Sequence, residues 1–395
     1  MNDMEYKRLS DCATWRKDRT HDINYESYIS TENMIKDKGG VTIASSLPDS
    51  KTASVYKPND ILLSNIRPYF RKIWYADKNG SCSNDVLVVR ADEDVDSKFL
   101  YYVLSDNNFF NYDTVTSKGT KMPRGTQTAI MKYLVPDINV AKQRKIADIL
   151  SAYDNLIENN NKRIKILEQM AENLYKEWFV RFRFPGYEDV KFEENVPSNW
   201  NYVQLGDIVS FERGVSYSSE EINCDDGINL INLKNIQAYG GFRREGTKKY
   251  NGKYKNSQIV NAGDLILGVT DMTQDRRTVG SVALIPIIDG MSVISADLVK
   301  IISKVPNQFL YCMCRYGFYS KYFSLFANGA NVLHLKPNTL MNKKIFLPTE
   351  DLIKKFTKNV ILMLDVIDKI NLQNDILIKQ RDMLLPRLMS GKLEV

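Results

Sequence analysis

The chain has 395 residues, 43% of them hydrophobic and 26% charged, with a formal net charge of +6 and a pI near 8.8. That length exceeds one ordinary core and implies two domains plus connectors. The composition argues against wholesale disorder, and the mild basicity permits nucleic-acid binding without demanding it.

No apolar run approaches the roughly 20 residues of a membrane span. The opening stretch MNDMEYKRLSDC has no apolar signal region, so a soluble, cytoplasmic protein is expected. The cysteines, Cys12, Cys82, Cys224, Cys312 and Cys314, are odd in number and scattered, which fits reduced thiols. With His21 and His334 the only histidines, no set of four close ligands for zinc is expected, and no metal is assigned to this chain.

Along the chain, DILLSNI, DVLVVRA, GDLILGV and VALIPII are short apolar runs bounded by turn residues, and they read as strands. SKFLYYVLSDNNFFN from Ser97 and NQFLYCMCRYGFYSKYF from Asn307 space their apolar residues three and four apart, which predicts short helices packed on those strands. The texture is mixed α/β of the α+β kind. The two stretches also belong to a repeat. YKRLSD (Tyr6), YISTENM (Tyr28), NDILLS (Asn59), GSCSNDVLVVR (Gly80) and YLVP (Tyr133) recur in order as YVQLGD (Tyr202), LINLKNI (Leu230), GDLILG (Gly263), GMSVISADLVKI (Gly290) and IFLP (Ile345).

Each copy is followed by a long periodic stretch. Ile146, Leu150, Tyr153, Ile157, Ile164, Leu167, Ala171, Leu174 and Trp178 alternate steps of three and four, broken by polar Asn160. Phe356, Val360, Met363, Ile367, Ile370, Leu377 and Leu384 follow the same rule, with Asn374 and Arg381 as polar members. These are heptad seams. Two helices of about 40 residues, roughly 60 Å each at 1.5 Å per residue, need a partner for their apolar stripe. Antiparallel pairing would bring Asn160 and Asn374 together near the middle; the alternative leaves both facing solvent or a turn. Pro386 is expected to stop or kink the second helix.

The stretch AKQRKIADILSAYDNLIENNNKRIKILEQMAENLYKEWFVRFRFPGYE, from Ala141, resembles the central conserved region of type I restriction–modification specificity subunits, and RDMLLPRLMSGKLEV, from Arg381, resembles their C-terminal conserved region. The resemblance implies two target recognition domains, residues 1–138 and 185–348, joined by antiparallel coiled-coil spacers at 139–184 and 349–395. It further implies a non-catalytic subunit that reads a bipartite double-stranded DNA target, one half per domain. Two methyltransferase subunits would dock on it, carrying S-adenosylmethionine for adenine methylation. Restriction subunits using ATP and Mg would join them. This chain itself would bind no cofactor.

Under that reading, phosphate contacts supply affinity and base-edge contacts supply specificity. TSKGTKMPRGTQT offers Ser117, Lys118, Thr120, Lys121, Arg124 and Gln127, and FANGANVLHLKPNT offers Asn328, Asn331, His334 and Lys336. Arg can read guanine and Asn or Gln adenine. STENMIKDKGG adds Ser30, Asn33, Lys36 and Lys38; its counterpart adds Lys234, Asn235, Gln237, Arg243 and Arg244. A third pair of basic loops holds Arg67, Arg71 and Lys72 in one half and Arg276 and Arg277 in the other. Solvated surface loops are the alternative for all of them. Trp178, Phe179, Phe182 and Phe184 suit packing better than base stacking.

No N/D-P-P-Y/F tetrapeptide for adenine methylation and no P-loop is present, so the chain is not read as an enzyme. The recognition part of a self-contained restriction–methylation enzyme, or a coiled-coil adaptor, would be the other classes.

Overall fold

The computed structural model describes residues 5–222 and 226–393, which leaves Cys224 outside. The chain forms two compact units, residues 1–159 with 374–395, and residues 160–373. Each is a mixed helix-and-strand body.

In the first unit an antiparallel sheet runs in the order Ala13–Trp15, Val86–Ala91, Ile61–Ser64, Ile73–Tyr75. Strand Ile61–Ser64 is buried along its whole length because both its faces are covered. Its side chains alternate between two cores, as a pleated strand requires. Ile61 and Leu63 join Leu87 and Val89 against helices Ser97–Ser105 and Asn107–Thr116. Leu62 joins Val86 and Val88 against a second sheet. That sheet is ordered Arg19–Thr20, Ala53–Tyr56, Gly80–Cys82, Tyr28–Ile29, and its last pair is parallel. The helices start where Asp96 and Asp106 cap the backbone N–H groups of Phe99 and Asn108 at 2.8 and 2.7 Å.

The second unit repeats this design. Its first sheet is ordered Val209–Arg213, Leu298–Ser303, Leu265–Gly268, Val282–Leu284, and Leu265 and Leu267 again face one core while Ile266 faces the other. Its second sheet contains the matching parallel pair, Ile228–Ile231 with Ser292–Ile294. The units differ at the edges of these sheets. One adds Arg19–Thr20, the other the basic strand Lys248–Tyr250. The weak sequence repeat is therefore a real structural repeat.

Both heptad stretches are single helices, Val140–Phe179 and Glu350–Met389. In the first unit, Ile146, Ala147 and Leu150 are buried with Leu385, Leu388 and Met389. Asp154 accepts from Tyr102 Oη and from Arg381 Nη1, both at 2.6 Å, which ties globule and both helices together. In the second unit, Tyr175, Trp178 and Phe179 surround Phe356, and Asn160 Nδ2 donates to Gln373 Oε1 at 3.3 Å. Residues early in one helix thus meet residues late in the other, so the pairing within each unit is antiparallel. Asn160 and Asn374 are both buried. Trp178, Phe179 and Phe184 are buried and Phe182 is partly so, which makes this aromatic cluster a packing element.

One expectation is corrected. Pro386 does not end its helix, which continues to Met389. Its missing N–H removes a single helical hydrogen bond, and its own carbonyl still accepts from Ser390 N at 3.0 Å.

Candidate nucleic-acid interface

The loops SKGTKM and ANGANV fold into the same hairpin. Lys118 and Arg124 exchange two backbone hydrogen bonds of 2.9 Å, and Asn328 and His334 exchange bonds of 3.0 and 2.9 Å. Arg124 also bridges to Ile66, and His334 pairs with Thr270. Both hairpins turn through a glycine at positive φ, Gly119 at +96° and Gly329 at +150°. A Cβ on Gly329 would lie 1.9 Å from the carbonyl oxygen of Val332, so only glycine closes this turn.

Each hairpin sits beside the other two basic segments of its own unit. In the first, Arg67 N donates to Pro123 O at 2.7 Å, while Asp37 N and Lys38 N donate to Phe70 O and Arg71 O, both at 2.9 Å. Three segments that are distant in sequence thereby form one surface. In the second, Tyr239 N donates to Arg277 O, and Gln274 Nε2 donates to Ala330 O, each at 2.8 Å. The same three segments meet again.

The individual side chains divide into two groups. Lys118, Thr120, Lys121, Gln127, Lys234, Arg243, Arg277, Asn328, Asn331, His334 and Lys336 are exposed. Arg124 is also exposed, with its guanidinium 3.2 Å from Asp85 Oδ1. Lys36 lies 4.1 Å over the Phe70 ring, and Arg67 and Lys72 each lie 5.9 Å from it, so one aromatic gathers three cations.

The remaining side chains are engaged by partners within the fold. Asn33 is buried: its Oδ1 accepts from Ser30 N at 2.6 Å, and its Nδ2 donates to Thr42 O and Tyr28 O at 2.7 and 3.0 Å. Asn235 does the same with Asn232 N at 2.9 Å, Arg243 O at 2.8 Å and Thr247 Oγ1 at 2.9 Å. Both amide protons of each are used within the fold, so these two residues brace the loop. Ser30 Oγ accepts from Glu32 N, and Ser117 Oγ donates to Thr114 O. Arg71 bonds Asp37, Lys72 donates to Thr31 O, and Gln237 donates to Phe242 O. Lys38 is 3.9 Å from Asp382 on the terminal helix, and burial holds its ammonium below the usual lysine value. Arg244 pairs with Asp368, also on that helix, and Arg276 donates to Ser324 O at 2.7 Å.

The same surfaces carry residues that charge patterning does not reveal. Tyr69 and Met122 in the first unit, and Tyr239 and Met272 in the second, are large apolar side chains left exposed beside the cations. Asp271 anchors the basic loop of the second unit. Burial opposes its ionisation, yet donors from Thr278 and Thr273 outweigh that and lower its carboxyl to about 2. The buried cysteines Cys12, Cys82, Cys312 and Cys314 have their thiols pushed up by burial and are structural. Among the described residues, no helix is long and apolar enough to cross a membrane.

Comparison with known proteins gives these surfaces a context. Residues 1–169 match the family model for the type I restriction modification DNA specificity domain. The chain is 27% identical to the type I restriction enzyme MjaIX specificity subunit of Methanocaldococcus jannaschii over 316 residues, covering 76% of this chain and 69% of that protein. It is 22% identical to the MjaVIII specificity subunit of the same organism over 383 residues, covering 94% and 87%. A crystal structure of a type I restriction–modification S subunit from M. genitalium shares the fold, with TM-score 0.58 over 98% of this chain and 97% of that chain at 16% identity. These relatives are specificity subunits by name.

Proposed function

We propose that the chain is a specificity subunit of the type I restriction–modification family, as the family-model match over residues 1–169 and the curated relatives support, and that each unit reads one half of a bipartite DNA target. The observation that supports this most is the twofold recurrence of one surface: a glycine-closed hairpin, a basic loop and a polar turn segment, joined by backbone hydrogen bonds. In the first unit, Lys118, Lys121 and Arg124 present cations where the second presents Asn328, Asn331 and His334. One scaffold with exchanged side chains suits two unlike half-sites. Lys36, Arg67, Lys234, Arg243 and Arg277 would neutralise neighbouring phosphates.

The paired helices would set the gap between the half-sites and dock two adenine methyltransferase subunits. Apolar residues left exposed along them support a docking role: Leu156 and Ile376 in the first unit, Ile166, Met170 and Leu362 in the second. S-Adenosylmethionine would belong to the methyltransferase subunits, ATP and Mg to restriction subunits, and the whole complex to the cytoplasm. Sequencing the adenines methylated by the assembled complex tests this reading. A bipartite motif with a constant gap is expected; a single contiguous motif, or none, would refute it.

A further inference from the structure

The two hairpins rest on opposite kinds of support. Behind the second lie Val269, Phe323 and Leu335, all buried in one apolar core. The equivalent places behind the first are Asn65, Asp113 and Gly125. The equivalence is structural: Gly125 N donates to Asn65 O at 3.0 Å as Leu335 N donates to Val269 O at 2.8 Å, and Asp113 and Phe323 each lie on the helix that leads into the hairpin.

Asp113 is fully buried, and neither of its carboxyl oxygens has a hydrogen-bond partner. Asn65 Oδ1 is also buried and unpartnered. A Cβ placed on Gly125 would lie 2.6 Å from Asp113 Oδ1 and 3.2 Å from Asn65 Oδ1, so these oxygens converge on one spot that only glycine leaves open. Three acceptors without a donor are unfavourable for an ionised carboxylate, and a proton on Asp113 supplies the donor. We propose that Asp113 is held as a neutral acid that donates to Asn65 and so positions the first hairpin, making the reading of one half-site, but not of the other, sensitive to pH.

Burial alone raises the Asp113 carboxyl to about 7. The charged groups on the surrounding elements include Arg67 and Arg71 beside the turn Pro68–Phe70, Lys118, Arg124 and Asp85 at the hairpin, Asp106 at the start of the same helix, Lys98 on the preceding helix and Lys132 beyond Gln127–Ile130; none of them adds to that shift. The sign follows from linkage. The folded state holds this proton more tightly than the unfolded chain, so its contribution to stability is complete below the unfolded value of 3.8 and is lost as pH rises toward about 7.

The part of this inference that concerns DNA rests on the hairpin being a DNA interface; the part that concerns the buried acid does not. Two measurements on the full-length chain separate them. Thermal unfolding of the native protein should lose stability relative to Asp113→Asn between pH 5 and pH 8. Equal pH profiles for the two proteins would overturn the neutral acid and would instead point to an Asn65 amide turned to donate to a charged Asp113. In the second measurement, the chain assembled with its modification subunits is titrated with duplexes recovered from a randomised pool and with versions scrambled in either half. If only the protonated form reads, its share falls from about nine-tenths at pH 6 to about one-tenth at pH 8, so discrimination at the first half-site should weaken about tenfold. Discrimination at the second half-site should not change, and Asp113→Asn should abolish the dependence. Equal pH effects on both halves, or none, would overturn the positioning role. The triple variant Asn65→Val, Asp113→Phe, Gly125→Leu imports the support of the second hairpin; a pH response that survives in it would overturn the assignment as well. If no duplex is preferred at any pH, the DNA reading itself fails and the unfolding comparison still decides the state of Asp113.

Discussion

Replacing Asp271 by Asn should loosen the basic loop of the second unit and leave the first unit alone. Asp271 is 3% exposed. Its Oδ1 accepts from Thr273 N and Thr273 Oγ1 at 2.9 Å, and its Oδ2 accepts from Thr278 N at 2.7 Å and Val279 N at 3.3 Å. Asn keeps one oxygen and turns an NH2 group toward the donors of the other. Those donors are then buried and unmet, at a cost of about 1–3 kcal/mol. The lowered carboxyl gives a second figure from the same contacts. The carboxyl falls from 3.8 to about 2, and at ~1.36 kcal/mol per pH unit this amounts to about 2 kcal/mol. The sign is that of a depressed acid: the stabilisation is present above the unfolded value and vanishes as pH falls from about 4 to about 2. The assay is amide hydrogen exchange at Thr273, Thr278 and Val279 in native protein and variant at pH 7. Exchange should accelerate at these amides by about thirtyfold and remain unchanged at Lys118 and Arg124. Unchanged exchange at all three amides would refute the anchoring role.

Other consequences can be checked more briefly. Exchanging Lys121 and Arg124 for Ala should cost about 1–3 kcal/mol per lost bidentate contact, at one half-site only; competition binding with half-scrambled duplexes reads this, and equal loss at both halves would contradict it. Removing the guanidinium by Arg381→Met leaves Asp154 with Tyr102 alone, and chemical denaturation should show a loss of about 1–3 kcal/mol, limited because both side chains remain partly exposed. Adding four residues to each long helix, beside Asn160 and Asn374, should lengthen the spacer by about 6 Å, close to two base-pair steps, and the methylated motif should show a wider gap with both half-sites unaltered.

The helices were legible because a heptad seam needs only local spacing. Ile146, Leu150, Phe356 and Val360 fall where the periodicity places them, and all are buried. The strands were legible for the same reason, since Ile61–Ser64 and Leu265–Gly268 are short apolar runs between turn residues. Side-chain roles on the loops were less accessible. Asn33 and Asn235 look like base readers because Asn is a good one, yet an Asn can equally cap its own turn, and only the chain path decides. Arg244 and Arg276 look like phosphate contacts, but partners 124 and 48 residues away claim them. Asp113 and Asn65 gave no signal at all. Their importance lies in a missing partner, and a missing partner is visible only in three dimensions.

The most direct test of two independent reading heads is an exchange of hairpins. Residues 118–124 would be replaced by the sequence of residues 328–334, and the motifs methylated by native and exchanged complexes compared by sequencing. The native complex should yield a bipartite motif with one fixed gap, and the exchanged complex the same gap and the same second half beside an altered first half. A change in both halves, or an unaltered motif, would contradict the claim that each unit reads its own stretch of DNA.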